Sequence, residues 1–543
     1  MKIPFTTYEE TCRRFRWDLP ATFNYGRDVV DLWSAVAPER LCLQWQDQAG
    51  RQQRFAWREM CELTNRFANT LAGAGVRKGD RVIVMLPRIP EWQIALVGCT
   101  KLGAIPVPCI EMLTGKDVAY RIRQSGAVAV VTTRAATSKF PTMEQFRLRL
   151  AVGGAPGWAD LAEALSGASA SFTCDDTALE DPAIIYYTSG STGLPKGVTH
   201  ASRGLYTWRN SAWYWHDFSA DDLVWCTADT GWSKAGTAVL FAPWSCGASV
   251  FFYDGPFDAR RRLDLIERNG ITVFCGAATE FRHLINEDLP RWDLSRLRLA
   301  ASAGEMVNPE IVRRWEETAG CKLVEAYGQT ETLMTVANHE RAPRRLGSMG
   351  RPLPGTEMAV LDDNNAPLPP GRSGQLAVRL PNPQLMLGYW NEPERTAATR
   401  AEHSGVEYFL TGDRVSMDAD GYLYYEGRTD DIISSAGYRI GPVEIENALA
   451  EHPAVLESAA VPAPDAERGE IVMAYVVVRA GFVPSPALAA ELQDHVKHST
   501  APYKYPRAVV FIEELPKTAS GKILRRELKA RAFATAQSGG MQP

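Results

Sequence analysis

The sequence lacks any grouping of its cysteines. Ten are present, scattered singly from Cys12 to Cys321 with no CxxC pair. That spacing excludes a zinc ribbon, argues against a disulfide framework and points to a reducing compartment. A membrane-spanning run is missing too. The most apolar stretch, Val82 to Pro108, is broken by Pro87, Arg88, Pro90, Glu91 and Lys101, so it falls short of the roughly 20 apolar residues a bilayer requires. The opening residues MKIPFTTYEETCRRFRW have no apolar core and carry Glu9 and Glu10, so no secretory or import leader is expected and the cytoplasm is the expected location. Charge of one sign is scarce: a net −5 over 543 residues supplies no global field for nucleic acid or an anionic membrane. No internal repeat and no low-complexity tract is found. No GxGxxG follows the first strand candidates, which disfavours a dinucleotide dehydrogenase.

What is present is the composition of a globular enzyme, 45% apolar and 23% charged, in a chain too long for one ordinary core. Trp57, Met60, Leu63, Phe67 and Leu71 recur at helical spacing, and Gly73 and Gly75 mark the exit. Arg81–Leu86 is a continuous apolar run of buried-strand length, followed by a helix around Trp92–Leu102 and short runs at Ile105–Val107 and Ala127–Val131. Strands alternating with helices predict an α/β fold with largely parallel sheets. Residues 340–430, crowded with proline, glycine and short alternating runs, predict a β-rich subdomain. From about Asp431 a compact α+β unit is expected, with helices near Val443–Ala450 and Ala487–Lys497 and strands near Leu456–Val461 and Ile471–Val478.

The sharpest chemical signal is YYTSGSTGLPKGVTH, Tyr186–His200. Thr188, Ser189, Ser191 and Thr192 interleave with Gly190 and Gly193, and Leu194 and Pro195 lead to Lys196. Glycines let backbone N–H groups turn toward an anion, hydroxyls add donors and the lysine adds a point charge, so a polyphosphate cradle is expected. It is not a Walker A loop, because Gly197 follows Lys196 where a magnesium-binding hydroxyl would stand. VEAYGQTET, Val324–Thr332, reads as a strand end and tight turn carrying a ring, hydroxyls and two carboxylates.

These segments, with TGD at Thr411–Asp413, YYEGRTDDIISSAGYRIGPVEIE at Tyr424–Glu446 and LPKTASGKILRREL at Leu515–Leu528, occur in an order that resembles the adenylate-forming superfamily of acyl-CoA synthetases, luciferases and peptide-synthetase adenylation domains. The likeness spans roughly residues 180–530. It implies a large N-terminal AMP-binding domain over 1–429, joined at a hinge near Asp430 to a small mobile α+β domain over 430–543. It implies that Glu325, Ala326, Tyr327, Gly328, Gln329 and Thr330 lie against adenine and the α-phosphate, with Gly304 and Glu305 flanking the nucleotide. Glu331 is implied to help hold Mg²⁺, Asp413 and Arg428 to grip the ribose, and Lys522 to bridge carboxylate and α-phosphate oxygens during adenylation. Ala436, Gly437, Tyr438 and Arg439 resemble the loop lining a pantetheine tunnel, although the family commonly has serine where Ala436 stands.

The acceptor is implied by APYKYPR, Ala501–Arg507, and NYGRDVVDLW, Asn24–Trp33, which resemble medium-chain and benzoate-type acyl-CoA synthetases. Arg439, Arg468, Lys497, Tyr505 and Arg507 then become candidates for the phosphates of CoA. Trp232, Gly276 and Ala277 correspond to walls of the acyl pocket. Neither segment offers an evident unpaired cation, so an uncharged acyl or aryl tail is expected. The implied activity is a carboxylic acid:CoA ligase with ATP, Mg²⁺ and CoA as its partners. An acyl-adenylate donor to a carrier protein and a non-catalytic nucleotide-binding scaffold remain as alternatives.

Overall fold

The computed structural model describes residues 4–141, 145–188, 194–339, 341–429, 431–435, 438–465, 468–500, 504–517 and 523–537, with backbone alone at 434, 438, 439 and 535–537. The chain is a mixed α/β protein that separates into two compact units. The larger comprises Met1–Thr356 and Pro381–Thr399, the smaller Glu357–Leu380 and Arg400–Pro543. The Pro/Gly-rich stretch is therefore split between the two, which sequence composition alone did not indicate. Asp430, the expected hinge, lies outside the described residues.

A nine-stranded sheet dominates the larger unit, in the spatial order Arg351–Pro352, Leu333–Ala337, Lys322–Gln329, Leu299–Ala303, Val273–Gly276, Leu223–Cys226, Ser249–Asp254, Leu41–Asp47 and Gln52–Ala56. The strands from Lys322–Gln329 to Leu41–Asp47 run parallel. Helices Ala259–Asn269 and Pro309–Ala319 cross between them. Each begins where a side chain accepts an orphan N–H, Asp258 from Arg261 at 2.7 Å and Asn308 from Glu310 at 2.8 Å. Each ends at a left-handed glycine, Gly270 or Gly320. In chain order Leu223–Cys226 is followed by a strand on one side of it and then by Val273–Gly276 on the other, so the winding reverses between those two strands. In open α/β sheets, ligands bind beyond the carboxyl ends of the strands at such a reversal.

A second sheet holds Ile105–Pro108, Arg81–Met85, Ala129–Thr133, Leu148–Val152 and Ala159–Asp160, all parallel. Val82 to Met85 are fully buried, as a strand covered on both faces requires. The strand expected at Ala127–Val131 begins two residues later. Gly126, left-handed, ends helix Gly115–Ser125, and the Ala127 N–H returns to Ile122 O at 3.3 Å, so Ala127 closes the helix instead of opening the strand. Helix Trp57–Gly73 buries Trp57, Met60, Phe67 and Leu71 on one face, each worth about 1.5–3 kcal/mol of transfer free energy. Helix Pro90–Leu102 starts on a proline and is buried almost all round.

The smaller unit has two sheets. One is a meander of Met358–Leu361, Ser373–Arg379, Val406–Met417 and Arg400–His403, with Leu423–Arg428 paired on Val406–Met417. The other pairs Tyr438–Ile440, Ile433–Ser435, Gly469–Val478 and Val455–Asp465, and Ala508–Phe511 joins Gly469–Val478 in parallel. Helices Pro442–Ala450, Pro486–Ser499 and Arg525–Gln537 accompany it. The expected helices and strands of this region are all present, with boundaries shifted by up to four residues. Among the described residues no helix is long and apolar enough to cross a membrane.

Candidate active site

In the larger unit the polyphosphate loop is set by a hairpin. Strands Pro182–Thr188 and Lys196–Ala201 pair antiparallel with Thr188 opposite Lys196 at the open end. Ser189, Gly190, Ser191, Thr192 and Gly193 lie outside the described residues. At the hairpin mouth the Thr188 hydroxyl is buried and has no hydrogen-bond partner among the described residues. Leu194 is exposed, and Pro195 O accepts the Tyr120 hydroxyl at 3.0 Å.

Lys196 does not merely solvate a surface. Its ammonium donates to Tyr389 Oη at 3.0 Å, sits 4.5 Å over the same ring and stands 3.8 Å from Glu331 Oε1. Tyr389 in turn donates to Glu331 Oε1 at 3.0 Å. The phenol reaches both because the two-residue strand Gly388–Tyr389 adds to the hairpin, with Tyr389 opposite Val198. Sequence reading found Lys196 and Glu331 but missed Tyr389, which lies 193 residues beyond Lys196 in the chain; the only sign was an aromatic pair closing a proline-rich run.

Glu325–Gln329 occupy the end of a strand whose bulge falls between Tyr327 and Gly328. Gly328 is obligatory there, since a Cβ would stand 2.0 Å from Leu333 O. Thr330 is held twice. Its carbonyl takes the His200 Nε2–H at 2.5 Å, and its hydroxyl lies 3.1 Å from Ser233 Oγ. Burial pulls the His200 pKa down to about 4, so the ring is neutral near pH 7 and keeps this donor role. His200 was another omission of the sequence reading, a positioning residue whose role only packing reveals. Gly304 adopts a positive φ of 93° with open space where a Cβ would be. Glu305 follows it, half-buried at most, and is engaged with neighbouring groups.

Glu325 is partly buried, accepts the Val307 N–H at 2.8 Å and has its pKa pushed up to about 7 by desolvation. The folded pKa exceeds the unfolded one, so the stability it contributes is fully present below pH 4.5 and lost as pH rises through about 7. Glu325→Gln keeps the acceptor and removes the titration. The wild type should therefore lose about 2–3 kcal/mol relative to this variant between pH 4.5 and 8. Chemical denaturation at both pH values checks this; parallel pH profiles for the two proteins would refute it.

In the smaller unit Asp413 and Arg428 face each other across paired strands, Arg428 Nη1 to Asp413 Oδ1 at 3.1 Å. Gly412, at φ 71°, turns the chain so that the Asp413 carboxylate is buried and the guanidinium half-exposed. Lys497, Tyr505 and Arg507 are brought together: Arg507 Nη1 donates to Tyr505 Oη at 3.0 Å, and both cations lie over the Tyr505 ring. Arg468 precedes Gly469, which pairs with Ser435, so it borders the strand that leads into the pantetheine-loop candidates. Of those candidates Ala436 and Gly437 lie outside the described residues, while Tyr438 and Arg439 form a strand. Lys522 also lies outside them. Its neighbour Ile523 bridges Lys517, and Arg525 Nη2 meets Glu446 at 2.6 Å, a half-buried pair that anchors the next helix. Elsewhere in this unit Lys504 pairs with Glu444 and Lys517 with Glu457.

At the reversal of the large sheet, Gly276 ends its strand and Ala277 caps the following helix, with Trp232 on the connection from Cys226. The aromatics Trp208, Tyr214 and Trp215 are fully buried, and Trp208 stacks on Phe241, so they belong to the core.

Comparison with known proteins gives two family matches, "AMP-binding enzyme" over residues 30–390 and "AMP-binding enzyme C-terminal domain" over 444–522. The chain is 41% identical to the mouse mitochondrial acyl-coenzyme A synthetase ACSM3 over 98% of this chain and 94% of that protein. It is 40% identical to human mitochondrial ACSM5 over 95% and 91%. Among solved structures, an anthranilate CoA ligase in complex with anthranoyl-AMP matches with TM-score 0.86 and 28% identity over 96% of this chain and 99% of that one. A benzoate CoA ligase from Burkholderia xenovorans matches with TM-score 0.82 and 29% identity over 93% and 100%.

Proposed function

This chain belongs to the AMP-binding enzyme family, and on that premise we propose that it joins a medium-chain fatty or aromatic acid to CoA through an acyl-adenylate. It is an acid–thiol ligase that uses ATP and CoA. The observation that carries this reading is the likeness to acyl-CoA synthetases along the full chain. In the first half-reaction a carboxylate oxygen attacks the α-phosphorus and pyrophosphate leaves. In the second the CoA sulfur attacks the acyl carbon and AMP leaves. No covalent enzyme intermediate is required; positioning and charge neutralisation lower both barriers.

The residue roles follow from the resemblance and from the local chemistry. Thr188 and Lys196 hold the phosphates, and the Lys196–Tyr389–Glu331 chain fixes the ammonium at the hairpin mouth. Residues Gly304, Glu305 and Glu325–Thr330 bound the nucleoside, with His200 and Ser233 holding Thr330 in register. Asp413 accepts the ribose hydroxyls with Arg428 beside it. Arg439, Arg468, Lys497, Tyr505 and Arg507 take CoA phosphates, and Trp232, Gly276 and Ala277 the acyl group. Lys522 is the cation of adenylation, in the part of the chain beyond the Asp430 hinge.

Mg²⁺ fits this donor set. Among the described residues no cluster of three or more potential ligands exists, and Glu331 offers one carboxylate oriented by a phenol. Mg²⁺ characteristically takes one or two carboxylates and completes its shell with substrate phosphates and water. Glu331 would hold the ion, which would shield the triphosphate charge. The cytoplasm remains the proposed compartment, supported by ten free cysteines; the relatives cited above are named as mitochondrial proteins.

A panel of fatty acids of graded length and of benzoates, assayed for CoA-dependent AMP and thioester, tests the reading. The expected result is stoichiometric AMP, pyrophosphate and acyl-CoA with at least one acid. Acyl-adenylate that accumulates without thioester would redirect the acyl group to a carrier protein, and absence of ATP consumption with every acid would leave a nucleotide-binding scaffold.

A further inference from the structure

The segment around Trp232, expected to offer no evident unpaired cation, carries Lys234. Lys234, two residues after Trp232, places its ammonium at the reversal of the large sheet. There Nζ donates to Gly276 O at 3.1 Å and to Ala303 O at 3.0 Å, the carbonyls ending two neighbouring parallel strands. Among the described residues no carboxylate lies within ion-pair distance of it. The nearest acids act only through space, and Glu280 is already engaged by Thr227 Oγ1 at 2.5 Å and Arg262 Nη2 at 3.4 Å. Burial alone would lower the Lys234 pKa, but the adjoining Cys275, Cys226, Glu280 and Glu305 carry it above the ordinary lysine value, so the group is charged.

An ammonium has three N–H donors, and the two carbonyls account for two. The residue keeps partial solvent contact although protein surrounds it, and open space begins at Gly304, next to Ala303. A charged donor with a spare N–H at the carboxyl ends of parallel strands, where the winding reverses, stands where a ligand is expected.

Resting on the ligase reading, we propose that Lys234 reads the tail of the acid: its third donor meets a hydrogen-bond acceptor, a carbonyl, hydroxyl or second carboxylate, carried on the acyl or aryl group. The preferred substrate is then a medium-chain or aromatic acid that bears such an acceptor. A site with a desolvated donor rejects an analogue that leaves it unmet, whereas a hydrocarbon wall discriminates weakly.

The test uses the full chain with matched acids: hexanoate, 5-oxohexanoate and adipate, and benzoate beside its hydroxy and carboxy derivatives. Wild type should favour one functionalised member over its plain counterpart by about 10- to 100-fold in kcat/KM. The oxo and dicarboxylate arms distinguish a neutral acceptor from an anionic one. Lys234→Met, of similar reach without a donor, should bring that ratio near unity through a selective loss of kcat/KM on the functionalised acid; Lys234→Arg should retain a preference. Preference of the wild type for the plain acids overturns the proposal. So does a Lys234→Met protein of lowered melting temperature that loses all acids in equal proportion, which would make Lys234 a clamp on two strand ends. If that variant does not fold, the wild-type ratio and Lys234→Arg decide. Thermal shifts with sulfamoyl mimics of the matched acyl-adenylates read recognition without turnover, so an inactive wild type would count against the ligase reading while Lys234 is still tested.

Discussion

Lys522→Ala should abolish most acid-dependent pyrophosphate release and leave thioester formation from supplied acyl-adenylate near the wild-type rate. Adenylation brings a carboxylate against a polyphosphate, so repulsion between anions dominates its barrier and a cation placed at the reacting oxygens acts directly on it. A preorganised contact of this kind is worth about 3–4 kcal/mol, or roughly 10²–10³ in rate. The thioester step starts from a neutral mixed anhydride carbonyl and an incoming thiol and has no such need. The described residues on either side of Lys522 are held in place. Lys517 and Ile523 bridge across the intervening segment, and the Arg525–Glu446 pair fixes the start of the helix that follows. Glu446 also accepts the Ala460 N–H at 2.9 Å, so it ties the segment to the sheet of its own unit. Separate assays of the two half-reactions check this. Equal loss in both would remove Lys522 from the adenylation step and with it the division of labour assigned to the smaller unit.

The features legible in the sequence were those with a local signature. The parallel strands announced themselves as continuous apolar runs because both faces are covered. The elements of the smaller unit were placed to within a few residues by the same periodicities. Hidden features were the single polar contacts that close over long chain separations. Tyr389 meets Lys196 and Glu331 only because a two-residue strand adds to the hairpin. His200 reaches Thr330 from the far end of its own strand. Lys234 has no local signature; only the sheet brings two strand-end carbonyls within its reach. Nor could composition tell that Glu357–Leu380 and Pro381–Thr399, contiguous and equally rich in turns, would join different compact units. Pairing partners are chosen by three-dimensional register, and neither periodicity nor turn chemistry encodes them.

Glu331→Gln should lower adenylation by about 10²-fold at limiting Mg²⁺, the scale expected when a protein carboxylate that holds a phosphate-bound cation is neutralised. Glutamine is the informative replacement because its carbonyl can still accept the Tyr389 hydroxyl, which now donates to Glu331 at 3.0 Å. The phenol then stays in place to receive Lys196, and the change isolates charge from packing. The metal concentration giving half-maximal pyrophosphate release should rise, and excess Mg²⁺ should recover part of the rate. Thioester formation from supplied acyl-adenylate, which has already lost pyrophosphate, should be nearly unaffected. Tyr389→Phe separates the remaining possibility. If Glu331 served only to steady the tyrosine and thereby Lys196, the glutamine carbonyl would do the same and Glu331→Gln would stay near wild type, while deleting the Tyr389 hydroxyl would weaken ATP binding with no change in Mg²⁺ dependence. If Glu331 holds the ion, the two variants diverge, and only Glu331→Gln moves the metal titration. An unshifted titration in Glu331→Gln would take the cation away from this carboxylate and leave the Glu331–Tyr389–Lys196 chain as a purely positional device at the hairpin mouth.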